Sequence, residues 1–473
     1  MSSLSKVDYK KFFWPIVIAA IIWLCSGFRP DGISLEAWRI LAIFVGTIIG
    51  CIVQPIPIAG VAIVGITIAV LLKVVPMEEA VTGFGSNTVW LIAMAYFLSR
   101  GFVKTGLGRR VALIFIRMFG KKTLGLAYSL IGVDVLTGSA TPSSTARAGG
   151  IVYPIIESLA EVYGSSPQDG TERKIGSFLI FSEFHGNNIT SGLFLTAMAP
   201  NLLAATFAKS MGINISWITW FTAAIVPGIL SLIIIPYVIY KMYPPEIKET
   251  PNAKEWANDE LAKMGKITVA EKIMMAVFVL ALALWMLSSF IGLDATFVAF
   301  LAVSLLLVTG VLNVSDILNE TGAWNTLIWF SILIFMANEL TKLGLIGWLS
   351  KTMGSMLSGY NWMIVLFVIV IFYFYTHYLF ASGTAQTSAM YSALLAVAIS
   401  AGAPHLLSAL LLGFTAAIFG STTHYSNGPA SILFGTGYVK QSDWWRMNFI
   451  LGLIYIVIWI GIGTLWMKLI GIW

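Results

Sequence analysis

The sequence predicts an all-α polytopic membrane protein, with about eleven transmembrane helices, two re-entrant hairpins and an internal repeat of inverted orientation. Three observations lead there. The first is composition: of 473 residues, 58% are hydrophobic and 11% charged, where soluble chains carry roughly 25% charged residues. Mean hydropathy is +0.87. The second is a series of apolar runs near the ~20 residues that a helix needs to cross a bilayer. The third is that the second half of the chain repeats the first.

The composition excludes a cytoplasmic enzyme, a nucleic-acid binder and a secreted domain. The net charge of +6 reads as basic cytoplasmic loops. Cys25 and Cys51 lie in apolar runs, so neither a disulfide framework nor a cysteine metal site is expected. Lys6, Lys10 and Lys11 precede the apolar run 12–28, but no small-x-small cleavage site closes it. It reads as a retained first helix rather than a signal peptide.

Candidate spans are 12–28, 36–54, 57–75, 87–103, 175–207 with an interruption, 216–240, 271–291, 294–313, 324–341, 405–421 and 446–470. Two further apolar stretches, 124–160 and 361–402, are broken by small and polar residues, around 138–145 and Ser382–Gly383–Thr384. The arm 124–137 makes only ~21 Å of helix, which points to a re-entrant hairpin whose tip is buried in protein or lines a wet cavity. Two ordinary spans joined by a loop would leave the topology unchanged. Arg100, Lys104, Arg109, Arg110, Arg117, Lys121 and Lys122 form the strongest basic cluster and place that side in the cytoplasm. The N-terminus then lies inside. So does 241–272, a stretch with 12 charged residues. The C-terminus lies outside, with Trp466 and Trp473 as interface anchors.

The repeat appears as matched residues at a fixed offset. Asn87–Thr88 matches Asn325–Thr326, and Lys104–Thr–Gly–Leu107 matches Lys342–Leu–Gly–Leu345, both 238 apart. Ser143–Ser–Thr–Ala146 matches Ser382–Gly–Thr–Ala385 at 239, and His185 and Asn188 match His424 and Asn427 at the same offset. By span parity Lys104 lies inside and Lys342 outside, so the halves are inverted. Inverted repeats with paired broken segments mark a secondary transporter with a midplane site. No G-x-x-x-x-G-K-[ST] module is present to drive a pump. An intramembrane hydrolase would need a metal motif such as H-E-x-x-H, which is absent, or a dyad such as Ser143 with His185. Paired inverted tips serve no purpose there. A channel would conduct without saturable exchange.

These features resemble the divalent anion–sodium symporter family over nearly the whole chain. The family carries Ser-Asn-Thr at each hairpin tip. The matching triplets here are Ser143–Ser144–Thr145 and Ser382–Gly383–Thr384. The loop of its fifth helix looks like Asn188 to Pro200–Asn201, which includes Thr196. The loop of its tenth looks like Ser426–Asn427–Gly428–Pro–Ala430. The resemblance is strongest to the 2-oxoglutarate/malate translocator branch, with its citrate/succinate and tartrate/succinate antiporters. It implies dicarboxylate anions as substrates, a homodimer in the bilayer, and an elevator in which a transport domain moves against a scaffold. The implied division is 1–120 and 271–358 for the scaffold, and 121–240 and 359–473 for transport elements. Those elements would be a hairpin at 121–160 with a broken helix at 175–207, then a hairpin at 360–402 with a broken helix at 405–440. A linker, 241–270, joins the halves. Ser144 and Gly383 replace the family's two motif asparagines, which help to hold sodium. The departure implies a sodium-independent exchanger of C4/C5 dicarboxylates such as malate, succinate, fumarate and 2-oxoglutarate, in the cytoplasmic membrane, with no cofactor and no metal. A sodium- or proton-coupled symporter is the alternative.

A dianion in a low-dielectric site needs compensating charge. Helix N-termini after the two tips can supply N–H groups, although small-residue packing would explain the same composition. Fixed cations are the second source: Arg147 within an apolar arm, His185, His377, His424 and Lys104, with Lys342 as the repeat partner of Lys104. For the lysines, snorkelling to the interface is the competing explanation. Glu183 and Asp134 are intramembrane acids. Glu183 is expected to pair with Arg147 or His185; the alternative is that either acid, Glu183 or Asp134, titrates as a proton site.

Overall fold

The computed structural model describes residues 8–139, 141–357 and 359–473. Lys6, Ala140 within the first broken stretch, and Ser358 lie outside the described residues. Among those described, the elements are helices, joined by a single isolated bridge between Lys122 and Glu249.

Among the described residues, seven helices are long and apolar enough to cross a bilayer: Tyr9–Phe28, Leu35–Val53, Trp217–Met242, Val269–Ser288, Thr321–Lys342, Trp362–Leu379 and Gln441–Leu469. An eighth results if Met77–Gly85 and Asn87–Thr105, bent by 48°, count as one span. Against eleven expected spans, four come out short or divided in other ways. Ile58–Leu71 and Ala295–Val308 have 14 residues each, or ~21 Å of helix. The stretch 175–207 is two half-helices, Gly176–Leu193 and Ala199–Ser210. His405–Ile418 runs on only to Ser421. Trp362–Leu379, expected as a hairpin arm, meets the length of a span.

The element order repeats over the whole chain. Helices Leu35–Val53, Ile58–Leu71, Asn87–Thr105 and Leu107–Phe119 are followed by the hairpin Thr123–Gly138/Ser144–Val162, the broken helix and Trp217–Met242. The second half runs Val269–Ile291, Ala295–Val308, Thr321–Lys342, Leu345–Leu357, Trp362–Thr376/Gly383–Ser400, His405–Ile418/Gly428–Gly435 and Gln441–Tyr455. Two ion pairs are exchanged between the repeats. Lys104 reaches Asp316 at 2.5 Å, and Lys342 reaches Glu79 at 3.4 Å. Each lysine thus grips the short acidic turn of the other half, as a two-fold relation requires. Lys342 also pairs with Glu339 at 3.2 Å.

Two matched pairs need correction. The return arms of the hairpins start 239 residues apart, at Ser144 and Gly383, but the broken helices start 229 apart, at Gly176 and His405. The connector 163–175 is longer than 401–404, and the register slips by ten. Pro200 corresponds to Pro429, so His185 and His424 are not repeat equivalents, and neither are Asn188 and Asn427.

The charged stretch after Met242 is folded. Asn252–Met264 forms a helix against Leu107–Phe119, with Arg109 bonded to Glu260 at 2.7 Å. Bonds from Lys263 and Arg109 hold the Glu260 carboxyl below its ordinary value. Thr250 ties this segment to Gly120 O at 2.8 Å. Arg110 crosses to Glu271 at 2.5 Å and to Gly265 O at 3.0 Å, and both side chains are almost fully buried. Removing one partner of such a pair costs about 3–5 kcal/mol. Arg110→Ala is therefore expected to lower the thermal midpoint in detergent, and Arg110→Met with Glu271→Met to regain most of the loss.

Candidate functional site

Both hairpin tips are built the same way. The first arm, Thr123–Gly138, ends before Pro142. Ser143 is extended and accepts from Ala146 N at 3.1 Å, which starts the return arm. In the second hairpin Ser382 accepts from Ala385 N at 3.3 Å. Serine is a strong N-cap because its oxygen satisfies one of the first-turn N–H groups. The first return arm passes through a π-helical turn, Arg147–Val152. Pro154 follows it and has no N–H to offer Gly150.

The two broken helices contribute two more helix starts. After Leu193 the chain is extended, and the half-helix from Ala199 begins beside Pro200. Asn201 Nδ2 donates to Ser191 O at 2.6 Å and Phe194 O at 3.0 Å, which satisfies carbonyls freed by the break. In the second half Asn427 caps its own helix by accepting from Ala430 N at 2.8 Å. Its amide also donates to Asn188 Oδ1 at 2.8 Å, which joins the two broken helices directly. Asn188 in turn donates to Phe184 O. A Cβ on Gly420 would sit 2.5 Å from Asn427 Nδ2 and 2.7 Å from Asn188 Oδ1, so this crossing requires glycine.

All four helix starts meet at one cavity of about 170 Å³. Ser143, Ser144, Thr145, Asn188, Ser382, Gly383, Thr384, Asn427 and Gly428, all named from the sequence, line it. Ser191, Met198 and Pro200, which fall in the loop read as Asn188 to Pro200–Asn201, line it too, as do Tyr96, Phe419 and Gly420, which sequence reasoning missed. For Met198–Pro200, the proline after the break was the available signal. The cavity wall contains no Asp, Glu, Lys, Arg or His. Its positive potential comes from the backbone. Each helix N-terminus carries roughly half a positive charge, and the four bring first-turn N–H groups without intrahelical partners to the wall.

The remaining predicted residues stand behind the wall. Arg147 is fully buried and donates inward: Nε to Asp134 Oδ1 at 3.0 Å, Nη1 to Thr141 O at 2.6 Å and Ala197 O at 2.7 Å, and Nη2 to Ser191 Oγ at 2.9 Å. Its acidic partner is Asp134, not Glu183. The carbonyls of Thr141 and Ala197, which could otherwise hold a cation, face the guanidinium. His185 bridges Tyr455 and Asn448 at 3.0 and 3.1 Å, so it does not pair with Glu183 either. His377 contacts Gln386 at 2.5 Å and Ser426 O at 2.9 Å and stacks on Phe419. His424 accepts from Trp445, and Lys104 is held by Asp316. Thr196 donates to Ser139 O at 2.7 Å, and Ser426 to Gly420 O and Thr423 O. The structure brings none of these into the cavity; Arg147, His377, Thr196 and Ser426 bond the loops that form it, and Lys104 lies further out.

A polar cavity at the meeting point of two hairpins and two broken helices, within a multi-pass helical chain, defines a membrane transporter rather than an enzyme. The comparisons make the class specific. The chain belongs to the sodium:sulfate symporter transmembrane region family, whose model matches residues 6–473. It is 50% identical over 459 residues to the "Putative malate transporter YflS" of Bacillus subtilis, covering 97% of this chain and 96% of that one. It is 44% identical over 461 residues to the chloroplastic dicarboxylate transporter 1 of Spinacia oleracea, covering 97% and 81%. Over 474 residues it is 37% identical to the citrate/succinate antiporter of Escherichia coli K12, covering 96% and 97%. The YdaH transporter of Alcanivorax borkumensis shares the fold, with a TM-score of 0.59 at 13% identity and 97% coverage of both chains.

Gly428 and Thr145 test the closeness of the helix starts. A Cβ on Gly428 would overlap the Thr145 hydroxyl. Overpacking of this kind costs about 1–3 kcal/mol. Gly428→Ala is expected to weaken substrate-induced thermal stabilisation by roughly tenfold in ligand concentration, with the helical circular dichroism unchanged.

Proposed function

We propose that the protein exchanges dicarboxylates of the C4/C5 class, such as malate, succinate, fumarate and 2-oxoglutarate, across the cytoplasmic membrane by sodium-independent antiport. The observation that carries this reading is a small cavity on which four helix N-termini converge, with no ionic side chain among its described wall residues, an arrangement that suits an anion. The volume suits a molecule of few heavy atoms. Drug-sized sites start near ~300 Å³. One carboxylate would sit on Ser143–Thr145 and the other on Ser382–Thr384. The names of the malate, dicarboxylate and citrate/succinate relatives support the same substrate class.

Sodium independence rests on two features. Ser144 and Gly383 stand where the family motif has its asparagines, and the Arg147 guanidinium takes the Thr141 and Ala197 carbonyls. Obligatory exchange follows from the unpaired donors: without an anion the first-turn N–H groups facing the cavity lack partners, and carrying unsatisfied backbone groups through the hydrocarbon is costly. In this reading the hairpins and broken helices move together as an elevator within a homodimer, with the N-terminus inside and the C-terminus outside.

Two outcomes follow. Proteoliposomes loaded with malate should take up labelled malate equally in sodium and choline buffers, whereas empty vesicles should take up almost none. Equal uptake into empty vesicles, or uptake driven by a sodium gradient, would contradict exchange. Ser144→Ala and Thr384→Ala should each raise the apparent KM about tenfold, because a hydrogen bond to a charged group is worth about 1.5–3 kcal/mol. Wild-type KM values in both variants would place the carboxylates elsewhere.

A further inference from the structure

Behind the first hairpin tip lies a buried polar cluster in which several oxygens lack a protein donor. Asp134, Arg147, Glu183 and Asn187 are all fully buried. The Arg147 bonds to Asp134, Thr141, Ala197 and Ser191 are given above. Asn187 spends both amide hydrogens, on Asp134 Oδ1 at 2.9 Å and on Ser144 O at 3.2 Å. Four acceptors remain without a donor: Asp134 Oδ2, Asn187 Oδ1 and both oxygens of Glu183. Glu183 and Asn187 lie one turn apart on the same helix face.

The charge count has the same shortfall. Two carboxylates share one guanidinium, so the cluster is left at −1 when both are ionised. An uncompensated charge in such a place is strongly disfavoured. The charges that act on Glu183 are those of Asp134 and Arg147. The other ionisable groups on neighbouring elements are engaged or distant along their helices. His185 turns to Tyr455 and Asn448. Tyr128 donates to Ile233 O, Tyr240 packs on Phe178, and Lys241 lies over Tyr237. Tyr153 bonds Glu157, Glu161 is exposed, and His405 begins its helix. A single proton on Glu183 neutralises the cluster and supplies a donor for one of those oxygens.

We infer that Glu183 is a proton-binding site whose occupancy sets the affinity of the transport cavity for its dianion. The link is structural. Arg147 joins the cluster to Ser191, a wall residue, and to the carbonyl next to Pro142, and Asn187 holds Ser144 O at the first helix start. Loss of the proton adds a negative charge behind the wall and sets Glu183 against Asp134 for the guanidinium. Both changes oppose anion binding. The inference rests on the dicarboxylate reading.

The test is homoexchange of labelled malate by reconstituted full-length protein, with equal pH on both sides, from pH 6.5 to 9 in choline buffer. Side-chain carboxyls in water titrate near 4, so the substrate charge stays constant over this range. The wild-type KM should rise with pH, by up to tenfold per unit once Glu183 loses its proton. In Glu183→Gln the KM should be independent of pH. Asp134→Asn removes the excess charge from the other side and should flatten the profile as well, which decides the matter if Glu183→Gln does not fold. Malate-dependent thermal stabilisation in detergent gives the same comparison without vesicles. A flat wild-type profile, or an unchanged slope in the folded variants, would overturn the inference while leaving exchange intact. Recovery of wild-type affinity at pH 9 by sodium would overturn it in favour of a cation among these oxygens. No exchange at any pH would defeat both this inference and the dicarboxylate reading.

Discussion

The electrostatic field of helix ends is the constraint on which the rest of the structure depends. A helix that crosses a bilayer without interruption leaves its termini at the membrane surface, where water satisfies them. Here two hairpins turn inside the protein and two helices are interrupted, and all four resulting N-termini open on one cavity. Each break exposes backbone groups that hydrocarbon cannot satisfy. Asn201 takes the carbonyls at the first break, Ser143 and Ser382 take N–H groups at the tips, and Asn427 caps the second half-helix. What stays unsatisfied is the set of first-turn N–H groups that face the cavity, which is what an anion can use.

The ionic side chains fall into place around that design. Arg147 is a cross-brace: one guanidinium ties the first tip, through Thr141, to the first broken helix, through Ser191 and Ala197, while Asp134 balances its charge. The Asn188–Asn427 bond does the equivalent work between the two broken helices. Lys104 and Lys342 act further out, each reaching an acidic turn of the opposite repeat. Exposed pairs of this kind are worth little individually. Their value is in fixing the mutual register of the halves.

Much of this was legible in the sequence, for reasons that differ by residue. The tips were visible because a Ser-x-Thr triplet recurs at a constant offset inside apolar runs, and serine at a helix start has a clear physical role. Arg147 was visible as a residue with a task, since burying a guanidinium needs a reason. Its partner was not, because Asp134 lies 13 residues away across a turn whose shape the sequence does not display. The histidines were misaligned because an offset carried past the hairpin ignores the longer connector at 163–175. Met198 and Phe419 line the cavity without any polar signature, and Tyr96 sits within an otherwise ordinary apolar span. Ile58–Leu71 and Ala295–Val308 read as spans because apolar composition continues beyond the point where the helix ends.

The central claim is that backbone N–H groups at helix starts, and not cationic side chains, hold the dianion. The most direct measurement is an experimental structure of the protein with malate or succinate bound. The account predicts one carboxylate within hydrogen-bond distance of the Ser143–Thr145 segment and the other at Ser382–Thr384, with Arg147 still bonded to Asp134. A substrate carboxylate bonded to the side chain of Arg147, His377 or Lys104 would contradict it.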